Sequence, residues 1–270
     1  MKKVSILMAV YNTEKTLDEA IESILNQTYK NWQFIICDDC STDGTYAKLL
    51  EYKEKFPEKF VIIKNEQNSK LAYSLNHCLK YADGDYIARM DADDVSLPER
   101  FSKQVEFLNE HPEIAVVGTS MIRFDENGDF GELKSYQNPD KYILKTAVPY
   151  FHATIMMRRA VMEKIGGYTV EKRTERGQDL DLWFKFYANG FVGANLEESL
   201  YKVREDRDAI KRRKLKYDIC FVKTRLIGFK MLKFPFSWKI YALKPVLSHF
   251  IPYKLKVMRR NKMQKKAEKK

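Results

Sequence analysis

Three carboxylates crowd into four residues at Asp91-Ala92-Asp93-Asp94, directly after the apolar positions Tyr86, Ile87, Ala88 and Met90. Carboxylates this close repel, and holding them together is costly unless a cation or solvent compensates. Mg²⁺ and Mn²⁺ prefer oxygen ligands, usually one or two carboxylates completed by substrate phosphates. The apolar positions read as a short buried strand, and open α/β sheets bind ligands beyond the carboxyl ends of such strands. The competing reading is a solvated acidic turn ahead of a helix that Pro98 starts. Asp38 and Asp39 close a second apolar run, residues 32–37, and lead into Ser41-Thr42-Asp43-Gly44-Thr45, a loop rich in turn and cap residues. Cys37 and Cys40 flank that pair in a C-x-x-C spacing. Zinc would need two further ligands, and two adjacent carboxylates oppose thiolate formation, so neither metal nor redox use is expected of the pair.

The elements that must position these groups alternate. Residues 4–10 are nearly continuously apolar, as a strand buried on both faces must be, and the run stops at Tyr11-Asn12. Leu17, Ala20, Ile21, Ile24 and Leu25 form a helical stripe with Asn12 or Thr13 as the expected cap. Residues 32–37 and 60–63 read as strands, with a helix through Tyr46, Leu49 and Tyr52 between them. A helix through Leu71, Leu75, Cys78 and Leu79 precedes the strand at 86–90. This alternation predicts a mostly parallel sheet with helices on both faces. Beyond Pro98 the pattern loosens. It predicts a helix through Phe101, Val105 and Leu108, a strand at 114–118, a polar hairpin or loop over 125–140, and a strand at 153–157 preceded by His152. A short helix over 161–165 is closed by Gly166-Gly167, and Leu182, Trp183, Phe184 and Phe186 share a helix starting near Asp179.

At 270 residues, one large domain or two closely packed halves are expected, and 44% hydrophobic content supplies a sizeable core. No run approaches the roughly 18 apolar residues of a transmembrane helix, and no signal-peptide pattern opens the chain. The chain therefore reads as cytosolic. Four cysteines in a chain this long do not suggest a disulfide framework. The net charge of +11 is unevenly spread: residues 211–270 hold 20 Lys and Arg against only Asp218 and Glu268. A mildly acidic body precedes a basic appendage.

The chain carries, in order, Val10-Tyr11-Asn12, Ser23-Ile24-Leu25-Asn26-Gln27-Thr28-Tyr29, Asp38-Asp39 with Ser41-Thr42-Asp43-Gly44-Thr45, and Ala88-Arg89-Met90-Asp91-Ala92-Asp93-Asp94. His152, Gly166-Gly167-Tyr168 and Asp179-Leu180-Asp181-Leu182-Trp183 follow. This ordered set, spanning about residues 4–204, resembles family 2 glycosyltransferases, typically bacterial enzymes building capsule or lipopolysaccharide glycans. The resemblance implies a GT-A fold: an α/β, Rossmann-like mixed sheet, mostly parallel and flanked by helices. It implies a catalytic domain over 1–204, with a nucleotide-sugar half (1–100) and an acceptor half (101–204). A basic amphipathic helical extension, 205–270, would follow.

The resemblance also implies roles. The backbone at Ala9, Val10 and Tyr11 would line the nucleotide pocket, with Tyr11 beside the base. Asp39 would accept from the N–H of uracil or another base, and Lys70 would place a cation near the nucleotide. Asp91, with Ala92 beside it, would contact ribose or reach the metal through water, and Asp93 would ligate Mn²⁺ or Mg²⁺. That ion would neutralise charge on the departing diphosphate. Relatives with this layout invert the anomeric carbon and need one general base, here Asp179, which opens a helix beyond a mobile loop. His152 would face the diphosphate or acceptor, or serve the fold alone. The chain departs from the pattern at Ala9, where Pro is frequent, and at Ser69-Lys70, where Gly is common. Gln178 replaces an acidic neighbour of Asp179, and that loss lowers the expected pKa of the base.

Residues 211–270 interleave basic residues with Phe221, Ile227, Phe229, Met231, Leu232, Phe234, Phe236, Trp238, Tyr241, Phe250, Tyr253 and Met258. That composition fits interfacial helices on an anionic membrane, while residues 262–270 read equally as a solvated end. A nucleic-acid-binding reading explains the tail but not the acidic body. A sugar nucleotidyltransferase would want a Gly-rich phosphate loop near the N-terminus, and residues 8–12 lack one. An inactive sugar-nucleotide-binding relative is opposed by the intact Asp91, Asp93 and Asp179. The expectation is an inverting, metal-dependent hexosyltransferase. It uses a nucleoside-diphosphate sugar and a glycan or lipid-linked acceptor, and sits in the cytoplasm, peripherally on the inner face of the membrane.

Overall fold

Four parallel strands carry the acidic segments to one edge. They are β1 (Val4–Val10), β2 (Trp32–Asp38), β3 (Phe60–Lys64) and β4 (Tyr86–Arg89), in the order β3-β2-β1-β4. Consecutive residues serve opposite faces. Leu7, Ile35 and Cys37 join one hydrophobic core, and Ile6, Met8, Phe34 and Ile36 join the other. Continuous apolar runs are what this two-sided burial requires. Helices α1 (Leu17–Leu25), α2 (Thr45–Lys55) and α3 (Lys70–Leu79) make the connections, as the alternation predicted. The computed structural model describes residues 1–205 and 215–249, so Phe250, Tyr253, Met258 and the end at 262–270 lie outside the described residues.

The sheet becomes mixed beyond β4. Its order continues β4-β8-β6-β9-β5, with β5 at Val95–Ser96, β6 at Ile114–Asp125, β8 at Met156–Arg158 and β9 at Val192–Arg204. The polar 125–140 region supplies β7 (Gly128–Leu133), which makes a hairpin with β6. Helix α4 (Arg100–Glu110) follows Pro98, α5 (Arg159–Lys164) ends at Gly166-Gly167, and α6 (Gln178–Ala188) begins beside Asp179.

Two local expectations are corrected. Helix α1 begins after Thr16 without a side-chain cap; the Thr13 carbonyl instead accepts from the N–H groups of Thr16 and Leu17. The strand expected at 153–157 starts only at Met156, because His152–Thr154 forms a 3₁₀ turn. The Thr154 hydroxyl bonds back to the Phe151 carbonyl at 2.9 Å, which gives that backbone a local alternative to the ladder.

The basic extension is packed onto the body where it is described. Helices α7 (Leu215–Met231), α8 (Lys239–Ala242) and α9 (Lys244–His249) follow β9. Phe229, Leu232 and Ala242 are buried in the core that holds Trp183 and Phe184 of α6. Phe221, Phe234 and Trp238 pack against the same core, so five residues that suggested a lipid face turn inward. Ile227, Met231, Phe236 and Tyr241 stay exposed. Among the described residues no helix is long and apolar enough to cross a membrane.

Gly228 allows the close approach of α7. A Cβ there would lie 2.2 Å from the Phe184 ring. Gly228→Val should destabilise the protein by about 1–3 kcal/mol through overpacking, read as a lower urea midpoint. An unchanged midpoint would mean that α7 does not pack this way in solution.

Candidate active site

The acidic turn leaves β4 where the strand order changes direction. β2 and β3 lie on one side of β1 and β4 on the other, so the crevice beyond β1 and β4 is the expected ligand position. Tyr11, Asp39, Asp91 and Asp93 all follow strand ends on that edge.

The three carboxylates of the turn are not equivalent. Asp94 is buried and accepts from the Arg204 N–H at 2.8 Å and from the Tyr201 hydroxyl. Burial, and then the charges of Asp91 and Asp93, hold its pKa well above the ordinary carboxylate value. Asp91 pairs with the buried guanidinium of Arg89, and its N–H donates to the Tyr201 hydroxyl at 3.1 Å. Asp93 reaches solvent, but protein atoms crowd it closely enough that desolvation leads, with Asp91 second, in raising its pKa. Arg204 donates from Nε to the Asp93 carbonyl at 3.0 Å and pairs with Glu19 of α1. Thr16 donates to the Ala92 carbonyl at 2.9 Å. The turn is thus clamped from α1 and β9, which leaves Asp91 and Asp93 as its partly solvated carboxylates.

This donor set fits Mg²⁺ or Mn²⁺, which complete their shell with water and phosphate oxygens. It does not form a cage: among the described residues no three His, Cys, Asp or Glu side chains gather to hold a metal.

Asp39 is buried and organises the loop before α3. Its Oδ1 accepts from Asn65 Nδ2 at 2.7 Å and the Ser69 N–H at 2.8 Å, and its Oδ2 accepts from the Lys70 N–H at 2.8 Å. Lys70 is exposed at φ +73°, a left-handed backbone that costs a non-glycine residue about 1–3 kcal/mol. Two successive amides converging on one carboxylate hold a lysine where glycine is common. The Asp39 N–H donates to the Val10 carbonyl at 2.8 Å, which ties this loop to Ala9 and Tyr11 on β1 and just beyond it. A hollow of about 440 Å³ opens beside Ser69 and Lys70 and is walled opposite by Val170, Glu171 and Thr174. A larger cleft, about 800 Å³, lies at the amino ends of the strands beside Lys2, Tyr29 and Asp85, remote from the acidic turn.

His152, Tyr168 and Asp179 complete the neighbourhood. His152 Nε2 lies 2.8 Å from the Tyr168 hydroxyl, with the rings edge-on at 5.4 Å. Burial, then the positive charge of Arg89, lowers the His152 pKa to about 3, so the imidazole is neutral in the physiological range. Tyr168 is pushed up by burial first, with Asp179 and Asp91 adding to the shift. Asp179 keeps partial contact with solvent but is closely enclosed. Burial raises its pKa, the N–H groups of Leu180 and of Asp179 itself oppose, and Asp91 raises it further.

Asp181 is engaged elsewhere. It is buried, accepts from Thr169, and forms an ion pair with Arg173, which also pairs with Glu171. This pair fastens the loop before α6 onto the helix itself. Helix α7 holds the loop from outside: Thr224 donates to the Arg173 carbonyl at 3.2 Å. Gly177, at φ +109°, presses against Phe221, whose ring would lie 3.1 Å from an added Cβ. The loop expected to be mobile is therefore anchored on two sides in this structure.

Tyr201 and Arg204 escaped the sequence reading because β9 did. Between the pairs Thr119↔Leu196 and Ser120↔Ser199 the register shifts, and Glu197-Glu198 bulge out of the ladder. The bulge breaks the alternation that would have marked a strand.

The glycosyl transferase family 2 profile matches residues 5–166, from β1 through the acidic turn to the end of α5. The chain belongs to this family. It is 48% identical over 250 residues to the putative glycosyltransferase EpsE of Bacillus subtilis, covering 93% of this chain and 90% of that protein. It is 30% identical over 208 residues to the Escherichia coli UDP-Glc:alpha-D-GlcNAc-diphosphoundecaprenol beta-1,3-glucosyltransferase WfaP, covering 75% and 78% of the two chains. The fold matches that of Staphylococcus aureus TarS 1–349 in complex with UDP at a TM-score of 0.70 and 20% identity, over 94% of this chain and 73% of that one. This glycosyltransferase has the GT-A fold.

The closely enclosed His152 of the glycosyltransferase gives a stability signature. Its folded pKa of about 3 lies below its unfolded value of about 6.5, so the unfolded chain takes up the proton first. Stability held by neutral His152 is intact above that unfolded value and is lost as pH falls toward the folded one. His152→Gln should flatten the decline of the urea midpoint across this window. A decline identical to wild type would show that His152 titrates normally.

Proposed function

We propose that this glycosyltransferase moves a sugar from a UDP-sugar to a glycan or lipid-linked acceptor, with inversion at the anomeric carbon, in cell-surface polysaccharide synthesis. The observation that carries this reading is the convergence of the acidic turn and Asp179. Asp91 pairs with Arg89, Arg89 acts on His152, His152 bonds Tyr168, and Tyr168 feels Asp179. Asp39 and Lys70 supply the nucleotide end, with the backbone of Ala9, Val10 and Tyr11 beneath it. One free acceptor site on Asp39 suffices for a base N–H, because its carboxylate can accept about four bonds and takes three here. The donor and acceptor for which WfaP is named, UDP-Glc and a GlcNAc-diphosphoundecaprenol, support a UDP-sugar donor and a lipid-linked acceptor.

Asp91 and Asp93 would hold Mn²⁺ or Mg²⁺ against the diphosphate, where the ion supplies charge neutralisation to the leaving group. Asp179 takes the proton from the acceptor hydroxyl. A raised pKa makes it a stronger base than an ordinary carboxylate, provided it stays ionised. Neutral His152 with Tyr168 lines the space between the two carboxylate groups and adds no charge to it. The front of the chain, mildly acidic and carrying this site, does not favour nucleic acid as partner.

Asp179→Asn keeps size and removes basicity. It should leave the affinity for UDP nearly unchanged and lower kcat by about 10²–10⁴-fold. Near-wild-type transfer at saturating donor would assign the base elsewhere. Because protonation silences the base, wild-type kcat should fall as pH drops through a pKa above the ordinary Asp value. Asp93→Ala should abolish Mn²⁺-dependent turnover, and full wild-type activity in EDTA would sink the metal assignment. Asp39→Ala should weaken both UDP and UDP-sugar, and unchanged affinity for both would exclude its role at the base.

A further inference from the structure

Phe236, Ile240, Leu243 and Leu247 follow one another at helical spacing through a 3₁₀ turn (Phe236–Trp238), α8 and α9. They are exposed by 79%, 65%, 45% and 62%, a run of large apolar side chains left in water. Ala242 and Trp238, at intervening positions, face the body instead: Ala242 is fully buried and Trp238 packs on the core. The segment thus has one face committed to the protein and one uncovered apolar stripe.

Charge decides what covers the stripe. Lys233, Lys239 and Lys244 are exposed around it, and Lys239 Nζ lies 4.0 Å from the centre of the Phe236 ring. No Asp or Glu occurs between Asp218 and Glu268. An apolar stripe rimmed by lysines, on a segment that itself carries no acidic residue, matches the boundary between anionic headgroups and acyl chains. A second copy would set the same lysines against each other, and like charges disfavour that contact.

We infer that Phe236, Ile240, Leu243 and Leu247 insert into the interface of an anionic lipid bilayer, with Lys239 and Lys244 at the headgroups. The inference deepens, and rests on, the proposed transfer to a membrane-bound acceptor. The stripe is coupled rigidly to the catalytic site. The rings of Trp238 and Phe234 pack edge-on or tilted against Phe229 of α7, Phe229 packs on Phe184 of α6, and Asp179 lies in the first turn of α6. Docking therefore fixes the orientation of Asp179 above the lipid surface.

The test is co-sedimentation of the full chain with vesicles of phosphatidylcholine, with or without an equal part of phosphatidylglycerol. Wild type should bind the anionic vesicles only. Ile240→Ser with Leu243→Ser should weaken binding about tenfold or more, since two apolar side chains lose their burial. Lys239→Gln and Lys244→Gln should each weaken it about fivefold and reduce its sensitivity to salt. These exposed positions leave the fold and the affinity for UDP unchanged. Undiminished vesicle binding by the serine variant would overturn the inference, because residues 250–270 would then suffice. So would a wild type that dimerises through the stripe and ignores vesicles. A wild type that binds anionic vesicles but not UDP would sink the transfer reading while the docking surface stands.

Discussion

The structure depends on keeping three adjacent carboxylates at the end of a buried strand. Desolvation first, and then the neighbouring like charges, raise the pKa of Asp93 and Asp94. The protein meets this repulsion with fixed donors rather than with distance. Arg89 underlies Asp91, the N–H of Arg204 and the hydroxyl of Tyr201 serve Asp94, and Thr16 and the Arg204 guanidinium hold the intervening carbonyls. These donors come from β4, from β9 and from Thr16 just ahead of α1, so the long-range pairing of β6 with β9 is a condition for the turn to exist. What remains after this clamping is two carboxylates, Asp91 and Asp93, in contact with solvent beyond the ends of the strands.

The second half of the site is built by desolvation. His152, Tyr168 and Asp179 share an enclosed space next to a guanidinium and a carboxylate. Enclosure favours neutral imidazole and phenol and makes a carboxylate more basic. One environment thus keeps His152 and Tyr168 uncharged and makes the Asp179 carboxylate beside them more basic.

The C-terminal segment belongs to this architecture. Helix α7 covers α6 through Gly228 and Phe229, and it touches the loop ahead of Asp179 through Phe221 and Thr224. The buried pair of Arg173 and Asp181 holds that loop from the other side. A charge count alone presents residues 211–270 as a basic appendage. Packing divides the described part into an inward aromatic seam and an outward apolar stripe.

The sequence by itself determined the first half of the fold, the family and the place of the acidic segments at strand ends. Runs such as residues 4–10 and 32–37 are apolar at every position because each strand is covered twice, and that pattern is local. The motifs around Asp39, Asp91, Asp93 and Asp179 were legible because each sits at a strand or helix end, where the apolar pattern stops. Tertiary structure decided the rest. The bulge at Glu197-Glu198 hid β9, and with it Tyr201 and Arg204, since a register shift is invisible without the partner strand. The raised pKa at Asp179 follows first from enclosure, which no local pattern around residue 179 announces. The left-handed Lys70 is held by a carboxylate thirty-one positions earlier in the chain. The two faces of the C-terminal segment could be told apart only once α6 stood beside α7, because aromatic residues bound for a core and for a lipid surface read alike in sequence.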